Sequence, residues 1–326
     1  MCQRIIIDTD PGVDDALALI LALRSAEVRL EAITTVGGNV GLEQTTRNAL
    51  RVLKILEPNP RPVVAMGGSP PNPRGTPRAV SVHGKDGLGE LDSFLNPDGS
   101  AVYPEVVIPG DLPCAEDVVV DLLERYPGEI LMITLGPLTN LARLLEIAPE
   151  KARRLQGIIV MGGSVASPGN VTPVAEFNIY SDPEAAQKVF SCGLPVSLVG
   201  LDVTRRVRLS REDLARLPGQ DKDPVARFLR DSTKKAIDFM EQREGSASMA
   251  LHDPLAVAAA IRPEILEMVG LHVEVETRGN ITYGMTVADR RPIKDRFKRA
   301  PNVQVALDVD ANKFMALFKE RLCPGW

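Results

Sequence analysis

Short apolar runs alternate with helical segments along nearly the whole chain, and this alternation limits the possible folds more than any other feature. The first run, "RIIIDTD", is short and rich in β-branched residues, as a buried strand is. "VDDALALILALRS" follows as a helix, with Val13, Ala16, Leu17, Leu19, Ile20 and Leu23 covering most of its circumference. "RLEAITTV" and "PVVAM" read as further strands, with the helix "LEQTTRNALRVLKIL" between them. "EILMITL", "LQGIIVM", "LPVSLVG" and "LHVEV" continue the strand series, and "CAEDVVVDLLERY", "LTNLARLLEIA" and "DPEAAQKVFSC" the helices. Alternation of this kind predicts an α/β fold with a mainly parallel open sheet and helices on both faces. Two stretches interrupt it. Residues 58–77 hold seven prolines and read as a rigid loop, and residues 80–100 read as a Gly-rich surface excursion. Neither looks like a linker, because strands and helices of the same style resume beyond them. One domain over 1–326 is expected.

The chain's 326 residues are 44% hydrophobic, enough to bury a large core. A net charge of −5 without a basic stripe gives poor support to nucleic-acid binding. Cys2, Cys114, Cys192 and Cys323 are scattered and form no C-x-x-C, which fits a reducing compartment. No signal-peptide pattern and no apolar run of transmembrane length stands out, so the expectation is a cytoplasmic protein.

The unusual chemistry sits where the first strand meets the first helix. "DTDPGVDDA" places Asp8, Asp10, Asp14 and Asp15 within eight residues, and no Lys or Arg lies between Arg4 and Arg24. One Asp there could simply cap the helix or meet its dipole. Four crowded carboxylates raise one another's pKa unless positive charge intervenes, so a bound cation is the economical reading. The ligands on offer are oxygens, which suit Ca²⁺ or Mg²⁺ better than Zn²⁺, and crowded carboxylates favour the larger, more flexible Ca²⁺ shell. Other polar residues stand at corresponding strand ends: Asn39 after "TTVGG", the turn Leu135-Gly136-Pro137, and His252 and Asp253 before a helix expected to begin at Pro254. Asn170, Glu176 and Asn178 bracket Phe177, and amides with a carboxylate are suited to gripping sugar hydroxyls. In an open α/β sheet such strand ends are where ligands bind.

These residues carry a resemblance. "DTDPGVDDALAL", "GPLTN", "MGG…PGNVTPVAEFNIYSDPEAA", "LHDPLAV" and "GMTVADRR" resemble, in order, the motifs of the inosine–uridine-preferring nucleoside hydrolases, over residues 4 to about 310. The resemblance implies one α/β domain, assembled as a homodimer or homotetramer, that hydrolyses the N-glycosidic bond of ribonucleosides. It implies Ca²⁺ held by Asp10, Asp15, the Leu135 carbonyl and Asp253, and a ribose held by Asp14, Asn39, Asn170, Glu176 and Asn178, with Met161 on its 5′ side. Asp10 would be the general base on a Ca²⁺-bound water, and His252 the proton donor to the leaving base. His83, in "VHGKDGLG", matches a histidine near the base. One departure concerns the helix before His252, which reads "KKAIDFMEQREG" without the tyrosine that family members often carry there. The only Trp is Trp326 at the C-terminus, so stacking of purines between tryptophans is disfavoured and the base preference is open. Two other classes compete. A haloacid-dehalogenase-type phosphatase also begins with a strand-borne D-x-D, but Gly12 stands where such enzymes carry Thr or Val, and Asp14-Asp15 has no counterpart. A non-catalytic nucleoside- or sugar-binding protein would need no base poised over a metal-bound water.

Overall fold

The computed structural model describes residues 2–326 apart from 72–73, 76–78, 104, 220–222 and 295–297. Part of the proline-rich loop expected over 58–77 therefore lies outside the described residues. The strands are β1 (Gln3–Thr9), β2 (Val28–Thr35), β3 (Val63–Met66), β4 (Ile130–Thr134), β5 (Gly157–Met161), β6 (Val196–Val199), β7 (Arg208–Ser210), β8 (Ser248–Ala250), β9 (Leu266–Leu271), β10 (Val273–Val275), β11 (Thr286–Ala288) and β12 (Val303–Val309). The helices are α1 (Val13–Leu23), α2 (Leu42–Leu56), α3 (Val80–His83), α4 (Ala115–Arg125), α5 (Thr139–Ile147), α6 (Pro149–Ala152), α7 (Phe177–Ser181), α8 (Pro183–Phe190), α9 (Leu201–Thr204), α10 (Arg211–Ala215), α11 (Pro224–Glu244), α12 (His252–Ile261) and α13 (Ala311–Leu322).

Among the described residues, eight strands form the central sheet in the order β3-β2-β1-β4-β5-β6-β12-β9. Every pairing in it is parallel except that of the edge strand β9 with β12. Both faces are covered, as a parallel sheet requires. Period-2 alternation divides β1 between two cores. Ile5 and Ile7 join α1, α2, α12 and α13 on one face, and Ile6 joins α4, α5 and α8 on the other. This is the expected α/β architecture.

The strand order reverses beside β1: β2 and β3 lie to one side, β4 and its successors to the other. Such a switch point opens a crevice at the carboxyl ends of the two central strands. The Leu135 N–H donates to the Asp8 carbonyl at 2.7 Å, so the segment after β4 runs directly beside the end of β1.

Two expectations are corrected. "LHVEV" is not one strand: Leu271 ends β9 in the central sheet, and Val273–Val275 pair with β11 in a separate two-stranded sheet. Nor is 80–100 simply a surface excursion, since His83, Asp86, Leu88 and Leu91 are buried. The Asp86 carboxylate accepts from the Leu88 and Glu90 N–H groups, both at 2.9 Å, and curls the segment inward. Gly89, at φ +83°, fits against α11 where a Cβ would lie 2.2 Å from the Ser232 carbonyl oxygen.

Candidate active site

The crevice at the end of β1 opens into a cavity of about 310 Å³, at the small end of the ligand-site range of roughly 300–1,000 Å³. Its lining includes Asp14, Asn39, His83, Leu135, Met161, Asn170, Glu176, Phe177, Asn178, His252 and Asp253. Residues far apart in sequence thus converge on one space. Asp10 and Asp15 lie directly beneath it, both fully buried.

The turn "DPGVDD" builds the acidic floor. Asp15 closes the first turn of α1: its Oδ2 accepts from the Gly12 N–H at 2.9 Å, and its Oδ1 from Thr9 Oγ1 at 2.5 Å. Asp10 Oδ2 accepts from the Asn39 N–H at 2.6 Å, whereas Asp10 Oδ1 is buried with no hydrogen-bond partner. The carboxylates of Asp14, Asp15 and Asp253 place one oxygen each within 4.8 Å of one another. Burial first, then mutual repulsion, drives Asp10 and Asp253 far above the usual carboxylate range. Burial raises Asp14 to about 6. Among the described residues no Lys or Arg pairs with any of these four. Three crowded carboxylates, an orphaned Asp10 oxygen and an all-oxygen donor set fit a hard divalent cation.

Asp8 lies outside the floor but under it. Its Oδ1 accepts from Thr34 Oγ1 at 2.5 Å and Asn140 Nδ2 at 2.8 Å, and burial lifts it to about 7. Asn140, from "GPLTN", also donates to the Thr35 carbonyl at 3.1 Å and accepts from the Gly68 N–H at 2.8 Å. It ties the ends of β1 and β2 to the segment after β3. The sequence reading assigned it nothing, although its place in a recurring motif was a signal.

The amides expected to grip a sugar are in the site, but the side-chain donors of Asn39 and Asn178 are already engaged. Asn39 Nδ2 donates to the Asp10 carbonyl at 3.2 Å and to Asp15 Oδ2 at 3.1 Å. Asn178 Nδ2 donates to the Leu135 and Met161 carbonyls at 2.6 and 3.1 Å. The Leu135 carbonyl therefore keeps one lone pair for another partner. Glu176 is the N-cap of α7, and its Oε2 accepts from the N–H groups of Gly163, Asn178 and Ile179 at 2.9, 2.9 and 3.1 Å. Its Oε1 takes no part in the cap. Asn170 is exposed at the lip of the cavity.

Both histidines are at the site. His83 Nδ1 accepts from the Val13 N–H at 3.0 Å, so its proton sits on Nε2, and burial pulls the imidazole down to about 4. His252 Nδ1 lies 2.7 Å from Thr204 Oγ1, and burial followed by the Arg205 and Arg208 charges pulls it down to about 3. Helix α12 begins at His252 rather than at Pro254, so Asp253 lies within its first turn instead of capping it. Met240 of α11, whose helical spacing is more often that of a core residue, lines the cavity, as do Arg205, Arg208, Arg243 and Glu244.

A family model described as inosine-uridine preferring nucleoside hydrolase matches residues 5–316. The chain belongs to that family. This nucleoside hydrolase is 38% identical over 323 residues to the pyrimidine-specific ribonucleoside hydrolase RihA of an Enterobacter species, covering 99% of this chain and 98% of that one. It is 39% identical over 328 residues to the protein of the same name from Photobacterium profundum, with 99% of each covered. Among solved structures, a plant nucleoside hydrolase superposes with a TM-score of 0.85 at 33% identity and 99% coverage of both chains. A purine-preferring ribonucleoside hydrolase from Gardnerella vaginalis gives 0.85 at 31% identity and 98% coverage of both. The enzyme is a ribonucleoside hydrolase, and its buried Asp cluster can bind a metal, in keeping with a metal-dependent family. Among the described residues no helix is long and apolar enough to cross a membrane.

Proposed function

We propose that the enzyme is a Ca²⁺-dependent hydrolase of pyrimidine ribonucleosides with Asp10 as its general base. The observation that carries this reading is the buried, unpartnered Asp10 Oδ1 beside three further carboxylates. Asp10, Asp15, Asp253 and the Leu135 carbonyl would hold the cation. When bound, it supplies the positive charge that keeps these carboxylates ionised, acidifies the attacking water and orients the ribose diol. Asp10 would accept the proton of the attacking water, while the Asn39 N–H holds its Oδ2 in place. Asp14, Glu176, Asn178, Asn39 and Asn170 hold the ribose, with Met161 beside its 5′ side and Phe177 against the sugar. Their net negative charge favours the oxocarbenium-like transition state of glycosidic cleavage.

His252 meets the leaving base. The Thr204 hydroxyl pairs with Nδ1; with Nδ1 as the acceptor, the neutral imidazole would present Nε2–H to the negative charge that develops on the base. His83, its Nδ1 fixed by α1, presents its own Nε2–H to the base region. The pyrimidine preference is supported by the names of the 38–39% identical relatives and by a small cavity whose lining, among the described residues, holds no Trp or Tyr. Assembly as a homodimer or homotetramer and a cytoplasmic location complete the proposal.

The test is a panel of uridine, cytidine, inosine and p-nitrophenyl phosphate, each assayed in Ca²⁺ and in EGTA. Reducing sugar released from uridine and cytidine, abolished by EGTA and restored by Ca²⁺, is the expected result. Inosine turned over faster than uridine would overturn the base preference, and undiminished activity after exhaustive chelation would overturn the metal dependence.

A further inference from the structure

The segment between β5 and α7, "GGSVASPGN", leads to Asn170 and is poor in large apolar anchors. Its backbone is held by one short stretch of chain. The Asp202 carboxylate accepts from the N–H groups of Val165, Ala166 and Ser167 at 2.9, 2.8 and 2.8 Å. Arg205 Nη1 and Nη2 donate to the carbonyls of Pro168 and Gly169 at 2.8 and 2.7 Å. Five consecutive residues are thus gripped by two side chains three apart, a spacing that sets both on one face of α9 and its continuation. All five bonds involve an ionised partner and belong to the stronger class of hydrogen bond. Arg290 adds a sixth, to the Val165 carbonyl at 3.1 Å. The residue between the two clamping side chains and next to Arg205, Thr204, holds His252 Nδ1.

We infer that Asp202 and Arg205 form a clamp that orders residues 165–169 and thereby sets Asn170 at the lip of the cavity, making Arg205 a positioning residue for the sugar. The clamp and the His252 support share one rigid element, so the two sides of the site are registered to each other. Arginine suits the task because its planar fork reaches two successive carbonyls, which a lysine ammonium does not. The catalytic consequence rests on the reading of Asn170 as a ribose contact.

The experiment is a double-mutant cycle with Arg205→Ala and Asn170→Ala, read as kcat/KM on uridine, together with hydrogen–deuterium exchange of residues 163–175. Displacing a contact by about 1 Å can cost on the order of a hundred-fold, so each single variant should lose about ten- to a hundred-fold, and the double variant no more than the worse single. Exchange should rise over 165–170 in Arg205→Ala and Asp202→Asn and stay unchanged in α1 and α12. Arg205→Lys should recover little. Additive losses, or wild-type exchange in the clamp variants, would overturn the clamp while leaving Asn170 as a ribose contact. A wild-type rate for Asn170→Ala would overturn the ribose reading and the catalytic part of the inference, while exchange still decides whether the clamp orders the loop. If Arg205→Ala does not fold, Asp202→Asn replaces it in the same cycle.

Discussion

Gly38→Ala tests how closely Asp10, the proposed base, is held. A Cβ at position 38 would lie 2.0 Å from Asp10 Oδ2, 2.7 Å from its Cγ and 3.0 Å from its Cβ. Real Cβ contacts do not fall below 3.0 Å, so the carboxylate must retreat by about 1 Å. It cannot do so and keep the 2.6 Å bond from the Asn39 N–H. A displacement of about 1 Å at a reacting group costs on the order of a hundred-fold in rate, which is the loss expected in kcat. Gly38 does not need the left-handed region, so alanine can adopt its backbone. Overpacking costs about 1–3 kcal/mol, and the variant should remain folded. Gly41→Ala is the control from the same loop, since no atom lies within 4 Å of its added Cβ. Steady-state uridine hydrolysis and thermal melting of all three proteins provide the assay. A Gly38→Ala enzyme that melts like a folded protein and retains wild-type kcat would refute the placement of Asp10 at the reacting centre.

Three further outcomes are expected. His252→Ala should slow uridine hydrolysis by about a hundred- to ten-thousand-fold and leave p-nitrophenyl riboside nearly untouched, because that leaving group needs no donor; equal losses on the two would remove His252 from the leaving-group side. Ribonucleosides should be strongly preferred over 2′-deoxyribonucleosides, since a site built for a hydroxyl leaves its polar groups unpaired without it; comparable kcat/KM on uridine and 2′-deoxyuridine would contradict this. Burial pushes Asp213 up, but hydrogen bonds from Lys319 and Ser210 outweigh it and hold the carboxyl below its ordinary value. Its stabilisation is therefore complete above about pH 4 and is lost as pH falls through the lower folded-state value, so Lys319→Met should flatten the acid limb of a melting-temperature profile.

Much of this was legible in the sequence because its physical cause is local. Three isoleucines in a row announce a strand buried on both faces, and Ile5, Ile6 and Ile7 are all fully buried. Helix α2 runs over Leu42–Leu56, the segment its amphipathic pattern marks. The acidic cluster was visible because Asp8 to Asp15 are adjacent in the chain, and Asp253 and the Leu135 turn were reached through motifs. What sequence could not show depends on partners distant along the chain. Strand β12 was not recognised and takes its place from β6 and β9, with which it pairs. His83 reads as a loop residue until α1 supplies the Val13 N–H that it caps. Asn39 and Asn178 look like free donors until the carbonyls and carboxylate they serve are brought to them. Asp202 and Arg205 gave no signal, since backbone acceptors and donors 35–37 residues away carry no side-chain pattern.

In the proposed mechanism the Asp floor holds one divalent cation as part of the hydrolase site. Equilibrium dialysis of the chelated enzyme against radioactive Ca²⁺ tests it most directly, with Asp15→Asn and Asp253→Asn dialysed in parallel. The prediction is close to one Ca²⁺ retained per wild-type chain, with binding weakened severely in both variants and activity returning in proportion to the ion bound. Retention undiminished by either substitution, or full uridine hydrolysis by a chain that retains no ion, would contradict it.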